Sequence, residues 1–284
     1  MTAMDPFLAL MAAFVAALGA CVGSFLNVCI WRIPRDESVI RPASHCPHCN
    51  RPIPWYLNIP VVSWLALGGR CRYCRGPIAV RYILVELLTA ALFLAVLFQA
   101  EGYPRLLGMR RLDDWLLVPV YCVFTAGLVL GTFVDFEHQI IPDSVTWGGL
   151  AAGLALSPLV PAMHDTTVWY WALLLAAVGG AAGFGLLWLV ALLGEKVYKQ
   201  EAMGFGDVKL MGAIGAFLGW KAVLFTTVAA SLAGSVVGLT LIALKRTHLQ
   251  GRLPFGPYLA LAALVWIYWG PLLWQAYFRL LGRA

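Results

Sequence analysis

From Phe7 to Trp31 the chain carries no charged side chain. The stretches Trp115–Val134, Ser144–Met163, Thr166–Gly194, Ala222–Leu244 and Leu253–Phe278 are nearly or wholly free of charge. A hydrocarbon core takes about 20 apolar residues per crossing helix, so each of these runs reads as a transmembrane helix. Two weaker runs join them. Val80–Ala100 holds Arg81 and Glu86, and Val208–Trp220 is short. The expected fold is therefore an all-α polytopic membrane protein of about eight helices. Composition agrees: 61% of residues are hydrophobic and 12% charged, where a soluble domain has about 25% charged. The first residues, Met1 to Pro6, lack the basic stretch of a cleaved signal. "LGAC" ending at Cys21 looks like a lipoprotein box, but the acidic start argues against lipidation.

The net charge of +6 is unevenly spread. Arg32, Arg35, Arg41, Arg51, Arg70, Arg72, Arg75 and Arg81 lie in or border the loop after the first run. Short cytoplasmic loops collect Lys and Arg, which places this loop inside and the N-terminus outside. With eight helices, Lys196, Lys199, Lys209, Lys245, Arg246 and Arg252 also fall inside. Arg105, Arg110 and Arg111 break the pattern, accompanied by Glu101, Asp113 and Asp114. No interleaving of aromatic and basic residues points to nucleic acid, so anionic membrane lipids are the expected partner of the basic face. The organisation expected is a first transmembrane helix over 1–31, a cytoplasmic insert over 32–79, and a transmembrane core over 80–284.

Cys46, Cys49, Cys71 and Cys74 form C-x2-C-x21-C-x2-C in the insert. Two CxxC knuckles at this separation are the pattern of a tetrahedral Zn2+ site. With all four ligands from protein the site is closed, hence structural. Disulfides are disfavoured in a reducing compartment. A redox CxxC leaves the duplication unexplained, and an iron site stays open. His45 and His48 read as bystanders, and Cys21, Cys29 and Cys122 as packing residues.

Asp207 stands at the mouth of an apolar segment, in "GFGDVKL". An acid at membrane depth is expensive and marks function by default. Gly204 and Gly206 let the backbone bend and another helix approach. A second acidic cluster, "VDFEHQIIPD", holds Asp135, Glu137, His138 and Asp143. The topology puts Asp135 and Asp207 on one side of the membrane, where they can meet. Two adjacent carboxylates that share a proton can supply one acid and one base, the chemistry that activates water against a peptide carbonyl. Plainer readings stand beside this one. Asp143 after Pro142 suits a helix N-cap, Glu137 and His138 suit a solvated loop, and Asp135 suits a helix end. From charge placement alone, an ion or proton pathway fits as well. Glu86 is a buried acid without an assignment.

"GSFLNVCIWRIPR", the paired CxxC enclosing "NIPVVSWLALGGRC", "RYILVELLTA", "VDFEHQIIPD", "GFGDVKL" and "PFGPYLA" occur in this order between about residues 20 and 262. The set resembles the bacterial type IV prepilin peptidases, bifunctional leader peptidase/N-methyltransferases of type IV pilus and type II secretion systems. The resemblance implies an aspartyl protease of the GxGD group, with Asp135 and Asp207 as the catalytic pair and Gly204, Gly206, Glu137 and Asp143 in support. It implies cleavage after a glycine, at the cytoplasmic face of the inner membrane, of the leaders of prepilin or pseudopilin precursors. It also implies N-methylation of the new terminus with S-adenosylmethionine. Such leaders are basic, and Glu137, Asp143, Glu195 and Glu201 would offset repulsion from the arginines. The stretch "SPLVPAMHDTTVWYW" is longer than the family pattern and is expected in an external loop. No G-x-G after a strand marks a cofactor site. Two other readings remain: an ion-coupled transporter using Asp207 and Glu86 with a structural zinc module, and a membrane scaffold whose zinc module docks a partner.

Overall fold

The computed structural model describes residues 6–100, 115–199, 203–244 and 254–280. The expectations placed on Glu101, Arg105, Arg110, Arg111, Asp113, Asp114, Glu201, Lys245, Arg246 and Arg252 fall outside the described residues. Within them the regular structure is helical and no strand occurs. The helices are α1 (Pro6–Arg32), α2 (Val62–Ala66), α3 (Arg81–Ala100), α4 (Leu117–His138), α5 (Asp143–Leu156), α6 (Trp169–Tyr198), α7 (Phe205–Ala243) and α8 (Gly256–Leu280). The chain divides into two compact units, Met1–Phe98 and Gln99–Ala284.

Large apolar side chains such as Leu10, Phe14, Val123, Leu189, Val236 and Leu239 are exposed on these helices. Water would penalise so much bare apolar surface, and lipid does not. Six helices are long and apolar enough to cross a bilayer: α1, α3, α4, α6, α7 and α8. Helix α5 has 14 residues, roughly 21 Å at 1.5 Å per residue, short of a hydrocarbon core of about 30 Å. It stops at Leu156, and a single turn, Pro161–His164, comes after it.

Helix α7 is not one straight rod. Gly219 has φ 79° and ψ 173°, outside the helical region, a backbone state that glycine adopts without steric cost. A Cβ on Gly215 would touch Val223 at 3.0 Å, so the chain folds back across this break. The second arm then runs antiparallel to α8. Trp220 stands beside Trp274 and Phe225 beside Trp266, while Gly234 lies against Tyr258 and Phe255. The apolar stretches expected as two helices, 208–220 and 222–244, are the two arms of α7.

In the N-terminal unit, Gly19, Gly23 and Asn27 share one face of α1. A Cβ on Gly19 would lie 2.7 Å from Ala90 Cα, and one on Gly23 2.7 Å from Glu86 Cα. Asn27 Nδ2 donates to Tyr82 O at 3.0 Å. Small residues four apart let α1 and α3 approach backbone to backbone, the usual device where lipid supplies no hydrophobic drive.

The C-terminal unit uses the same device around α7. Gly149 and Gly153 of α5 face Ala213 and Ala216, and Gly179 and Gly183 of α6 face the Gly215 and Met211 carbonyls. Adding a methyl at Gly179 would drive it into the Gly215 carbonyl, a backbone group that cannot step aside. Gly179→Ala is expected to lower the thermal unfolding midpoint in detergent, at a cost of about 1–3 kcal/mol. Gly127→Ala, with nothing within 4 Å, is expected to leave it unchanged or raise it.

Candidate functional site

Asp135 is near the end of α4 and Asp207 is in the first turn of α7. They are 5% and 7% exposed, so two acids are buried at the same end of one unit. Gly256 at the start of α8 donates its backbone N–H to Asp135 Oδ2 at 3.1 Å. A Cβ on Gly256 would sit 2.7 Å from that oxygen and 2.9 Å from Ile141 Cδ1. Ile141 also lies 3.3 Å from where a Gly206 Cβ would be. One isoleucine therefore spans from the glycine that holds Asp135 to the glycine that precedes Asp207. Asp135 and Asp207 are thereby brought to the two sides of Ile141.

Gly204 caps α7 in an extended conformation, and a Cβ there would stand 3.4 Å from Asp207 Oδ2. Gly204 thus keeps a side chain off Asp207 Oδ2, while Gly206 makes room for Ile141. Phe205 is 54% exposed and packs edge-on against Phe184, with centroids 5.9 Å apart. Glu137 is exposed beside Asp135 on the last turn of α4. His138 Nε2 is buried without a hydrogen-bond partner among the described residues.

Asp143 is not an N-cap. Pro142 occupies the cap position and Asp143 is the first residue of α5. There it faces the positive end of the helix dipole. Its Oδ1 accepts from Lys209 Nζ of α7 and from Thr146 Oγ1 at 3.4 Å. The Lys209 ammonium beside it holds the Asp143 carboxyl below its ordinary range. Lys209, two residues after Asp207, thus ties the first turn of α7 to the start of α5.

In the N-terminal unit, the sulfur atoms of Cys46, Cys49, Cys71 and Cys74 lie within 4.8 Å of one another. Cys46 and Cys74 Sγ are 3.8 Å apart. Four thiolates about 2.3 Å from one tetrahedral ion stand about 3.8 Å apart, so the donor set fits a metal.

The two knuckles are copies of one turn. In each, the first Cys N–H bonds a carbonyl five residues on, Arg51 O (3.0 Å) or Gly76 O (2.8 Å). In each, a left-handed residue, Asn50 or Arg75, returns its N–H to the first Cys carbonyl. In each, an isolated bridge closes the base, His45 to Pro52 or Arg70 to Pro77. Backbone N–H groups of Cys74 and Tyr73 aimed at Cys71 draw its thiol down to about 6, while burial and the neighbouring thiols push Cys74 up to about 11.

Glu86 has a structural partner. Its Oε2 accepts the Val61 N–H at 2.7 Å. Val61 is a β-branched residue held at φ 63°, a strained state that this bond helps to hold.

Residues 17–100 match the Bacterial Peptidase A24 N-terminal domain, and residues 122–239 match the Type IV leader peptidase family. A prepilin leader peptidase/N-methyltransferase of Aeromonas hydrophila is 38% identical over 278 residues, covering 88% of this chain and 87% of the relative. The chain belongs to the type IV leader peptidase family. Its enzyme class is that of the family, a peptidase whose relatives are also named N-methyltransferases. The relative of that name from Myxococcus xanthus is 44% identical over 236 residues, 82% of this chain and 64% of its own length. The one from Pseudomonas aeruginosa is 32% identical over 290 residues, 93% and 92% of the two chains. No solved structure matches. The transporter reading finds no support in these relatives, and Glu86, one of its two acids, is bonded to the insert's backbone.

Three residues of the site gave no sequence signal that singled them out. Gly256 was visible only inside "PFGPYLA", Ile141 only as one apolar residue before Pro142, and Lys209 only as a loop cation.

The Lys209–Asp143 pair sets a pH dependence. A carboxyl held below its unfolded value of 3.8 contributes stability above that value and loses it as pH falls through the lower folded value. Asp143→Asn is expected to be less stable than the parent at pH 7. The difference should close below about pH 4, read as unfolding midpoint against pH.

Proposed function

We propose that this chain cleaves the leaders of type IV prepilin or pseudopilin precursors at the cytoplasmic face of the bacterial inner membrane and N-methylates the new terminus. The observation that carries the reading is the burial of Asp135 and Asp207 at one end of α4 and α7, joined through Ile141. Relatives named prepilin leader peptidase/N-methyltransferase supply the substrate class.

The pair shares one proton. The ionised carboxylate takes a proton from water, and the resulting hydroxide adds to the carbonyl carbon of the bond after glycine. The protonated carboxyl hydrogen-bonds the carbonyl oxygen as it gains charge. The tetrahedral intermediate then collapses, the C–N bond breaks, and a proton passes to the leaving amine. Gly256 orients Asp135 for this step through its N–H. Gly204 leaves room beside Asp207 for an extended peptide, and Gly206 lets Ile141 close against the first turn of α7. Glu137 stands exposed at the rim, where a basic leader would pass, and Asp143 fixes the first turn of α7 through Lys209. A precursor that is itself a membrane helix brings its leader junction to headgroup depth, the level at which the two acids end their helices.

For the four thiolates we assign Zn2+, bound by Cys46, Cys49, Cys71 and Cys74, which would cross-link the two knuckles of the insert. For the methyl donor we assign S-adenosylmethionine, without a site. A cavity of about 360 Å³ between α1 and residues 39–44 is lined by Arg32 and Asn58 but by no carboxylate. A ribose diol is usually held by an acid, so this cavity does not fit the donor.

Asp135→Asn and Asp207→Asn are each expected to lower precursor cleavage about 10³-fold or more, while the variants still insert and bind metal. Mass spectrometry of the product N-terminus reads the cut site and any added methyl together. Full cleavage by either variant would remove that residue from the mechanism. Cleavage should follow a bell-shaped pH profile, since the pair must hold one proton; a flat profile would speak against shared-proton chemistry. Elemental analysis should give about one zinc per chain, lost in Cys46→Ser; undiminished metal in that variant would overturn the ligand assignment.

A further inference from the structure

A second cavity, of about 310 Å³, lies in the C-terminal unit at the end away from Asp135 and Asp207. Tyr121 on its wall precedes Asp135 on α4 by about 14 residues, roughly 21 Å along the helix. The fold-back of α7 at Gly219 forms one side, and α8 forms another. A third side is His164 and Asp165, which belong to the stretch between α5 and α6.

The lining combines three kinds of chemistry. Trp220 and Trp266 each stand edge-on to Trp274, with centroids 6.0 and 6.1 Å away. Lys221 Nζ lies 6.0 Å from the Trp274 ring centre. Asp165 brings a carboxylate to the same cavity, and His164 brings a ring nitrogen, Nε2, that is buried without a protein partner among the described residues. Burial also draws His164 below its ordinary value, which favours its uncharged form.

Indoles concentrate at headgroup depth in membrane proteins, but those usually stand on the lipid-facing surface, whereas Trp266 here is only 8% exposed and walls a cavity. Asp165 lines the cavity with a negative charge and Lys221 lines it with a positive one. Together they complement a group that carries both signs. A phosphate would take a charge-assisted bond from Lys221, and an ammonium would lie near Asp165 and the indole faces.

The residues beyond Lys221 on α7 decide between a lipid and a free headgroup. Leu224, Val228 and Leu232 recur at helical spacing from it, and all three are exposed. They form an apolar stripe descending from the cation along the second arm. We infer that this cavity and stripe bind one zwitterionic phospholipid, with the headgroup among Lys221, Asp165 and Trp274 and an acyl chain along Leu224, Val228 and Leu232.

The test uses the full chain in detergent with three probes: dioleoyl phosphatidylethanolamine, dioleoyl phosphatidylglycerol and O-phosphoethanolamine. Native mass spectrometry reads retention, and the unfolding midpoint reads stabilisation. Phosphatidylethanolamine is expected to be retained and to raise the midpoint. Phosphatidylglycerol should be retained more weakly, and the headgroup alone should do neither at the same concentration. Lys221→Gln and Asp165→Asn should each weaken retention of phosphatidylethanolamine about tenfold, the loss of one charge-assisted bond. Both should unfold like the parent without lipid. If one does not, Val228→Gln takes its place: it interrupts the stripe without touching the headgroup and should weaken retention too. Equal retention of both lipids, equal effect of the headgroup alone, or undiminished retention in the variants would overturn the inference.

Discussion

Two carboxylates enclosed in an apolar wall are the constraint on which the rest of the C-terminal unit depends. An ionised acid deprived of water costs several kcal/mol, and a second beside it adds repulsion. The chain accepts this at Asp135 and Asp207 and surrounds them with rigid, closely spaced backbone. Helices α5 and α6 press on the first arm of α7 through glycines, so that Asp207 stands at the end of a rod with little freedom to withdraw. Helix α8 arrives from the other side and gives Asp135 a backbone N–H. An acid free to swing would turn toward water and headgroups, and the pair would be lost.

The same economy of side chains serves different ends in the two units. In the N-terminal unit the contact of α1 with α3 runs through Gly19, Gly23 and Asn27, and Glu86 beside it uses its charge on a turn of the insert. In the C-terminal unit the contact holds Asp207, one of the two acids to which we assign cleavage. A buried carboxylate in a membrane helix is therefore not a signature of catalysis by itself. What separates Glu86 from Asp207 is its partner: a strained backbone amide in one case, a second carboxylate in the other.

Much of this was legible in the residues. Long uncharged runs identified the helices because lipid imposes a length and a polarity on anything that crosses it. The cysteine spacing identified the cluster of four thiols because two knuckles need little beyond local turn geometry, and the structure repeats one turn twice. Asp135 and Asp207 were legible as costly acids on one side of the membrane, and the ordered motifs placed them in a family. Other parts were hidden for physical reasons. Whether Asp143 caps a helix or begins it depends on one peptide unit, and its pairing with Lys209 bridges residues distant in sequence. The bond from Gly256 to Asp135 leaves no trace in side-chain chemistry, since a backbone amide is the same at every residue but proline. The roles of Glu137 and of the supporting glycines rest on the proposed chemistry.

The reversal at Gly219 bears on the polarity of the whole chain. A helix of 39 residues counted as one pass would deliver its far end to the opposite compartment. Two arms meeting at a single glycine return that end to the compartment it left, and every segment downstream inherits the change of sign. The side on which α8 begins is thus settled by one residue's torsion angles, and hydropathy averaged over a window is blind to it.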